Sequence, residues 1–448
     1  MNRQVWWMGL VAIALMNQGG ELAADEPLVR PTVTGAAAGV DESAADRLAL
    51  SRETDWPWWR GFLGNGVATA TGQVPDKWSP AEGIVWRAAV PGRGHSSPTI
   101  VGDLVCLATA QEANESQSAL AFDRRSGQLL WEKEISRGGF PKQIHAKNTH
   151  ATSTIASDGT RLFLVFFHHA ALQATALDTK GELLWQKSLG PFKPKQYEYG
   201  YAASPVVYRS LVIFTGEYDG DAFIVALDRT TGSETWRIKR PKNVSYSTPA
   251  IARIAGRDQL LISGADQIAS YDPATGKGLW TVTGCATATC GTVVWDGDIV
   301  FASGGYPQSE TIAVRADGSR DVVWRNNVKC YEQSMLAHGG YLYALADSGV
   351  LYCWRTSDGK EMWKQRLRGP ISASPILADG RIYWANELGT MYVFKPNPER
   401  FELIAENQLG EESFASPAVS RGQMFLRVAE KAQDGKRQEW LYCLGRPQ

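Results

Sequence analysis

Short apolar runs alternate along this chain with polar, glycine-containing turns, and the alternation repeats. Each cycle reads as a short apolar run, an Asp, a few polar residues, a Gly, and a further run that carries a Trp. Ala121-Phe122-Asp123 leads through Ser126-Gly127 to Trp131, and Ala176-Leu177-Asp178 leads through Gly181 to Trp185. Ala226-Leu227-Asp228 leads through Thr231-Gly232 to Trp236, and Ser270-Tyr271-Asp272 through Thr275-Gly276 to Trp280. Later cycles keep Asp317-Gly318 with Trp324 and Asp358-Gly359 with Trp363, and a seventh puts an aliphatic near Ile404 in place of Trp. Runs this short, alternating or wholly apolar, predict strands. The Asp accepts hydrogen bonds from amides of the turn that follows, and the Gly supplies the positive φ that closes it. A Trp at one fixed position of each cycle packs between neighbouring sheets and fills the wedge where they diverge.

A second marker precedes each cycle. Ser97-Pro98, Ser204-Pro205, Thr248-Pro249, Ser374-Pro375 and Ser416-Pro417 each open a strand, and Ser153-Thr154, Thr292-Val293 and Ser334-Met335 hold the same place without Pro. Pro is tolerated at a strand start, where no amide donor is needed. The marked strands turn at Gly-containing pairs such as Gly102-Asp103, Asp158-Gly159 and Gly297-Asp298 into a second strand, and the Asp-bearing run is a third. The last cycle stops after its third strand, Trp440–Leu444, and Ile84–Val90, with Trp86, resembles a Trp strand standing ahead of the first cycle. The expected fold is therefore all-β: an eight-bladed β-propeller of four-stranded antiparallel blades, closed by an N-terminal strand that completes the last blade. Its period of about 45 residues suits a four-stranded blade.

The Ala-x-Asp-x-x-Thr-Gly-x-x-x-Trp pattern, best kept from Ala226 to Trp236, resembles the pyrroloquinoline quinone (PQQ) repeat of the quinoprotein alcohol dehydrogenase-like superfamily. The resemblance covers residues 84–445 and implies the propeller. The superfamily includes PQQ-dependent dehydrogenases, a non-catalytic propeller lipoprotein of the outer-membrane β-barrel assembly machinery, and compact exported PQQ-like propellers. With Trp59-Arg60-Gly61 ahead of the ring, this chain is most similar to the last group. The resemblance makes PQQ a candidate cofactor. Catalytic members hold the quinone with a Trp and two adjacent cysteines, and an ion with Glu, Asn and Asp. This chain has no Cys-Cys pair, no assignable ion ligands and none of the long cofactor-covering insertions, so its motifs do not support the dehydrogenase apparatus.

Composition changes the picture in two places. Across 448 residues, 46 basic and 47 acidic side chains leave a net charge of −1 without a basic run, which argues against a nucleic-acid partner. The N-terminus has Arg3, an apolar run from Val5 to Met16 and small residues at Leu22-Ala23-Ala24. That is a signal-peptide pattern, too short to span a bilayer comfortably. The expected organisation is a signal peptide over 1–24, a flexible leader over 25–55, an aromatic arm over 56–83 that packs on the propeller, and the propeller over 84–448. No transmembrane segment is expected after cleavage, and the expected location is periplasmic or secreted.

Seven of the 17 Trp, namely Trp86, Trp131, Trp185, Trp236, Trp280, Trp324 and Trp363, belong to the repeat, so candidate chemistry must lie where the repeat is broken. Five of the six His fall between His95 and His169. His95 lies in the loop leading into blade 1. His145, Lys147, Asn148 and His150 lie in the loop leading into blade 2. Such loops share one end of a propeller around its central channel, so His95, His145 and His150 are candidate metal ligands. Equivalent loops contribute Tyr199, Tyr201, Tyr246 and Glu332, along with Tyr197, Cys290, Ser372 and Phe414. Aromatics mixed with a few polar groups suit a sugar, peptide or quinone. Cys285, Cys290 and Cys330 occupy equivalent loops of adjacent blades, where an exported protein permits a Cys285–Cys330 or Cys285–Cys290 bridge. Asp123, Asp178, Asp228 and Asp272 belong to the turns, and no catalytic residue is assigned. The expected function is a non-catalytic binding or assembly scaffold of the cell envelope, with an envelope protein, small molecule or glycan at the channel mouth. The alternative is a PQQ- or metal-dependent oxidoreductase with its site at that mouth.

Overall fold

In the computed structural model, which describes residues 48–69, 72–432 and 434–446, the chain forms eight antiparallel sheets of four strands each. The signal-peptide expectation and most of the leader lie outside the described residues. Seven sheets take their strands in chain order, and the eighth pairs Ile84–Val90 with Arg437–Leu444. Arg87 lies opposite Tyr442 and Val90 opposite Glu439 in that pairing, so the N-terminal strand closes the ring. First strands of neighbouring blades touch one another around the channel, among them those of blades 1 and 2, blades 5 and 6, and blades 1 and 8.

The strand-opening Ser and Thr residues have a physical role. The Ser97 N–H donates to Thr154 Oγ1 (3.0 Å), Thr154 to Ser204 Oγ (3.0 Å) and Ser204 to Thr248 Oγ1 (2.9 Å). Thr292 donates to Ser334 Oγ (2.9 Å), Ser334 to Ser374 (2.9 Å), Ser374 to Ser416 (2.8 Å), and Ser416 back to Ser97 (3.0 Å). Seven of the eight blades thus give an amide to the hydroxyl of the next. The first strands are short, two to five residues, because their leading ends hydrogen-bond sideways around the channel rather than along a ladder.

The repeat residues hold blade to blade. Asp228 Oδ1 accepts the amides of Thr230 and Thr231, and Gly232 closes the turn at φ +70°. A Cβ on Gly232 would stand 2.7 Å from Trp185 of the preceding blade. The same contact joins Gly127 to Trp86, Gly181 to Trp131, Gly276 to Trp236 and Gly359 to Trp324. The Trp indoles also donate across the seam: Trp86 to Arg124 O, Trp131 to Thr179 O, Trp185 to Arg229 O, Trp324 to Thr356 O and Trp363 to Asn397 O. Trp280 departs from this and donates to Gln259 of its own blade. In blade 7 the register puts Ala405, not Ile404, at the Trp position. Trp78 of the arm is buried in the cluster that includes Ala405. Its amide donates to Asn407 Oδ1 (3.0 Å) on that same strand.

The arm runs across the ring. Trp56 bridges Ile100 of blade 1, Val67 bridges Leu377 of blade 7, and Arg60 Nη2 donates to Met335 O of blade 6. Residues 48–55, expected to belong to the leader, lie along the propeller: Ala49 N–H donates to Asp158 O and Asp55 Oδ1 accepts the Gly102 amide. All six cysteines are free thiols, which corrects the expected bridges. Cys285 and Cys330 are buried and Cys290 is partly buried.

Candidate functional site: the channel mouth

The loops leading into the blades surround a cavity of about 200 Å³. Trp59 of the arm lines it, with its indole N–H on Thr292 Oγ1 (2.9 Å), next to the hydroxyl ring residues Thr154, Ser204 and Thr248. One wall is aromatic. Tyr199 and Tyr246 stand nearly parallel, 6.4 Å between ring centroids at 24°, and His145 meets Tyr199 edge-on at 4.9 Å. Tyr331 and Cys290 extend this wall. Burial raises the pKa of Tyr246, Tyr331 and Cys290, so all three stay protonated at neutral pH.

Another stretch of the lining is ionic and paired within itself. Lys147 Nζ lies 2.7 Å from Glu387 Oε1 and 3.8 Å from Glu332 Oε2. The single proton of the Ser372 hydroxyl is shared between the two carboxylates, both within hydrogen-bonding reach. Burial pulls the Lys147 pKa down, but the hydrogen bond to Glu387 and the charges of Glu332 and Glu387 outweigh it, and the net shift is upward. A local turn brings Lys147 across the mouth. Asn148 N–H donates to His145 O (2.8 Å), and the Lys147 amide donates to His145 Nδ1 (3.2 Å). Asn148 Nδ2 ties this loop to Tyr199 O (2.6 Å).

His95 stacks on Phe414, 4.4 Å between centroids at 13°. Its Nε2 is buried without a hydrogen-bond partner. Burial, then the charges of Arg93, Arg427 and Arg437, hold its pKa well below the usual imidazole value, so the ring is neutral.

Of the residues singled out from sequence, His95, His145, Lys147, Asn148, Tyr199, Tyr246 and Glu332 line this cavity. His150 and Tyr201 line a separate small pocket instead. The turn at Thr149–Thr152 carries His150 against Phe140, 3.9 Å between centroids, and Tyr201 turns into the blade to donate to Thr215 O (2.8 Å). The three histidines therefore do not converge. Trp59, Tyr331 and Glu387 were missed. Tyr331 adjoins Glu332 in the same loop and was open to that reasoning. Trp59 comes from the arm, outside the repeat, and Glu387 from a turn between the second and third strands of blade 7.

The mouth does not fit PQQ and its ion. The quinone is a tricarboxylate, whereas the Lys147 ammonium on this lining is already held by two carboxylates. Among the described residues no three His, Cys, Asp or Glu side chains are placed to hold a metal.

Comparison with known proteins follows the fold. The sequence profile described as outer membrane protein assembly factor BamB matches residues 67–220, 115–344 and 308–397. The chain belongs to this BamB family. No curated protein matches it in sequence. BamB from Moraxella catarrhalis superposes with a TM-score of 0.56 at 14% identity, covering 80% of this chain and 98% of that one. Quinohemoprotein alcohol dehydrogenase from Comamonas testosteroni gives 0.62 at 12% identity, covering 89% and 82%. Quinohemoprotein alcohol dehydrogenase ADHIIG from Pseudomonas putida HK5 gives 0.62 at 10%, covering 90% and 83%. At these identities the solved structures share the propeller with this BamB-family chain, and function must be argued from the site. No helix among the described residues is long and apolar enough to cross a membrane.

Proposed function

We propose that this chain is an exported, non-catalytic binding scaffold of the cell envelope that seats its ligand or partner in the channel mouth. The observation that carries the reading is the mutual pairing of the mouth's charges. Lys147, Glu387, Glu332 and Ser372 hold one another, and the neighbouring Tyr246, Tyr331 and Cys290 keep their protons. A preformed cavity with aromatic walls and internally paired charges suits recognition. The family description, an outer membrane assembly factor, supports an envelope role, and the apolar segment from Val5 to Met16 supports export.

The test is site-directed photocrosslinking in cells of the native host. Phe414→p-benzoylphenylalanine places the probe at the mouth, and Leu130→p-benzoylphenylalanine places it on the exposed outer strand of blade 1. A discrete adduct is expected from position 414 and none from position 130. No adduct from 414 overturns the reading. So does dye reduction by the purified protein that depends on added PQQ and Ca²⁺ and is lost in Tyr246→Ala.

A further inference from the structure

We infer that the ligand of the channel mouth is a neutral carbohydrate, held one ring at a time. This rests on the binding reading above and assigns its chemical class. Charge makes the first selection. Lys147 sits between Glu332 and Glu387, so a cationic guest meets its ammonium and an anionic guest meets two carboxylates. Either would have to break a pair already made, at a cost a neutral guest does not incur.

Shape and hydrogen bonding make the second selection. The Trp59 indole is pinned by its bond to Thr292, and Tyr199 and Tyr246, stacked 6.4 Å apart, brace one another on the lining. Rigid aromatic faces pack the C–H face of a sugar ring without ordering cost. Beside them the paired Lys147 and Glu332 offer a donor and an acceptor within 3.8 Å, the match for vicinal hydroxyls. His95 adds a neutral, stacked ring to the same lining, so it brings no charge that would favour an ionic guest. The cavity, about 200 Å³, is smaller than the roughly 300–1,000 Å³ pockets of drug-sized ligands and takes one ring rather than a chain.

The experiment is calorimetric titration of the full exported protein with cellobiose, maltose and N,N′-diacetylchitobiose, and with glucosamine, glucuronate, spermidine and citrate as charged probes. At least one neutral saccharide is expected to bind with Kd of about 1 mM or tighter. Every charged probe should bind at least tenfold more weakly. That Kd should change less than twofold between 0.05 and 0.5 M NaCl, since a neutral guest is not screened. Tyr246→Ala and Tyr199→Ala should each weaken it at least tenfold, while Leu130→Ala leaves it unchanged. Spermidine or citrate binding more tightly than every neutral saccharide overturns the inference. So does the absence of saccharide binding. If the Phe414 probe still captures a partner in that case, the carbohydrate assignment alone falls. If it captures none, the scaffold reading falls with it.

Discussion

His95 shows how neighbours decide what a single side chain can do. Stacked on Phe414 and facing the charges of Arg93, Arg427 and Arg437, its imidazole stays neutral in the folded protein well below the pH at which a free one takes a proton. Burial lowers the pKa of His150, His168 and His338 in the same direction. The unfolded chain therefore binds more protons than the folded one below about pH 6.5, and stability present above that pH is lost as pH falls through it. The urea midpoint should drop between pH 7.5 and 5.5, each imidazole contributing at most about 1.4 kcal/mol per pH unit. His95→Gln should flatten that fall. An unchanged slope in the variant would show that His95 is protonated in the fold. His95, Lys147 and Tyr246 could be placed at the mouth from sequence because each sits in a loop whose position the repeat defines. His150 and Tyr201 could not be aimed, because successive side chains of an irregular loop point in different directions and tertiary contacts choose among them.

Between elements, the seam of one Trp and one Gly recurs, and it can be isolated by a pair of substitutions. Gly232 and Gly256 both have positive φ, at +70° and +78°. A Cβ at Gly232 meets Trp185 at 2.7 Å, whereas a Cβ at Gly256 meets nothing within 4 Å. Both Ala variants carry the left-handed backbone cost of roughly 1–2 kcal/mol. Gly232→Ala adds overpacking of about 1–3 kcal/mol. Equilibrium unfolding in urea should therefore rank Gly232→Ala below Gly256→Ala by that difference, and equal losses would refute the seam. This element was legible in the sequence because turn, glycine and indole recur at fixed spacing. The substitute in blade 7 was not: Trp78 reaches Asn407 from more than three hundred residues away, and no local pattern links them.

For the whole molecule, closure concentrates at the seam between blades 8 and 1. Arg427 and Glu439, each 2% exposed at the side chain, are joined at 2.5 Å. Arg427 Nη1 also donates to Ala108 O of blade 1, and Glu439 Oε1 accepts the Gly94 amide. Glu439→Gln leaves a buried guanidinium without its charge partner and should cost about 3–5 kcal/mol in calorimetric or urea unfolding. The double variant Arg427→Met with Glu439→Met should recover part of that loss, because it removes the unpaired charge but leaves the Gly94 amide and the Ala108 carbonyl without these partners. Failure to recover would place the effect elsewhere in the seam.

The sequence by itself determined the blade count, the strand order and the closing strand Ile84–Val90, because each depends on residues close in the chain and on a period repeated eight times. It also marked where chemistry is absent, since Asp, Gly and Trp are consumed by turns and seams. Only the tertiary structure decided which side chains meet in the mouth. Trp59 lines it from the arm, Lys147 crosses it to Glu387 from blade to blade, and His150 is turned out of it. Those contacts join residues up to 240 positions apart, and their geometry follows from the circular packing of blades rather than from any local preference.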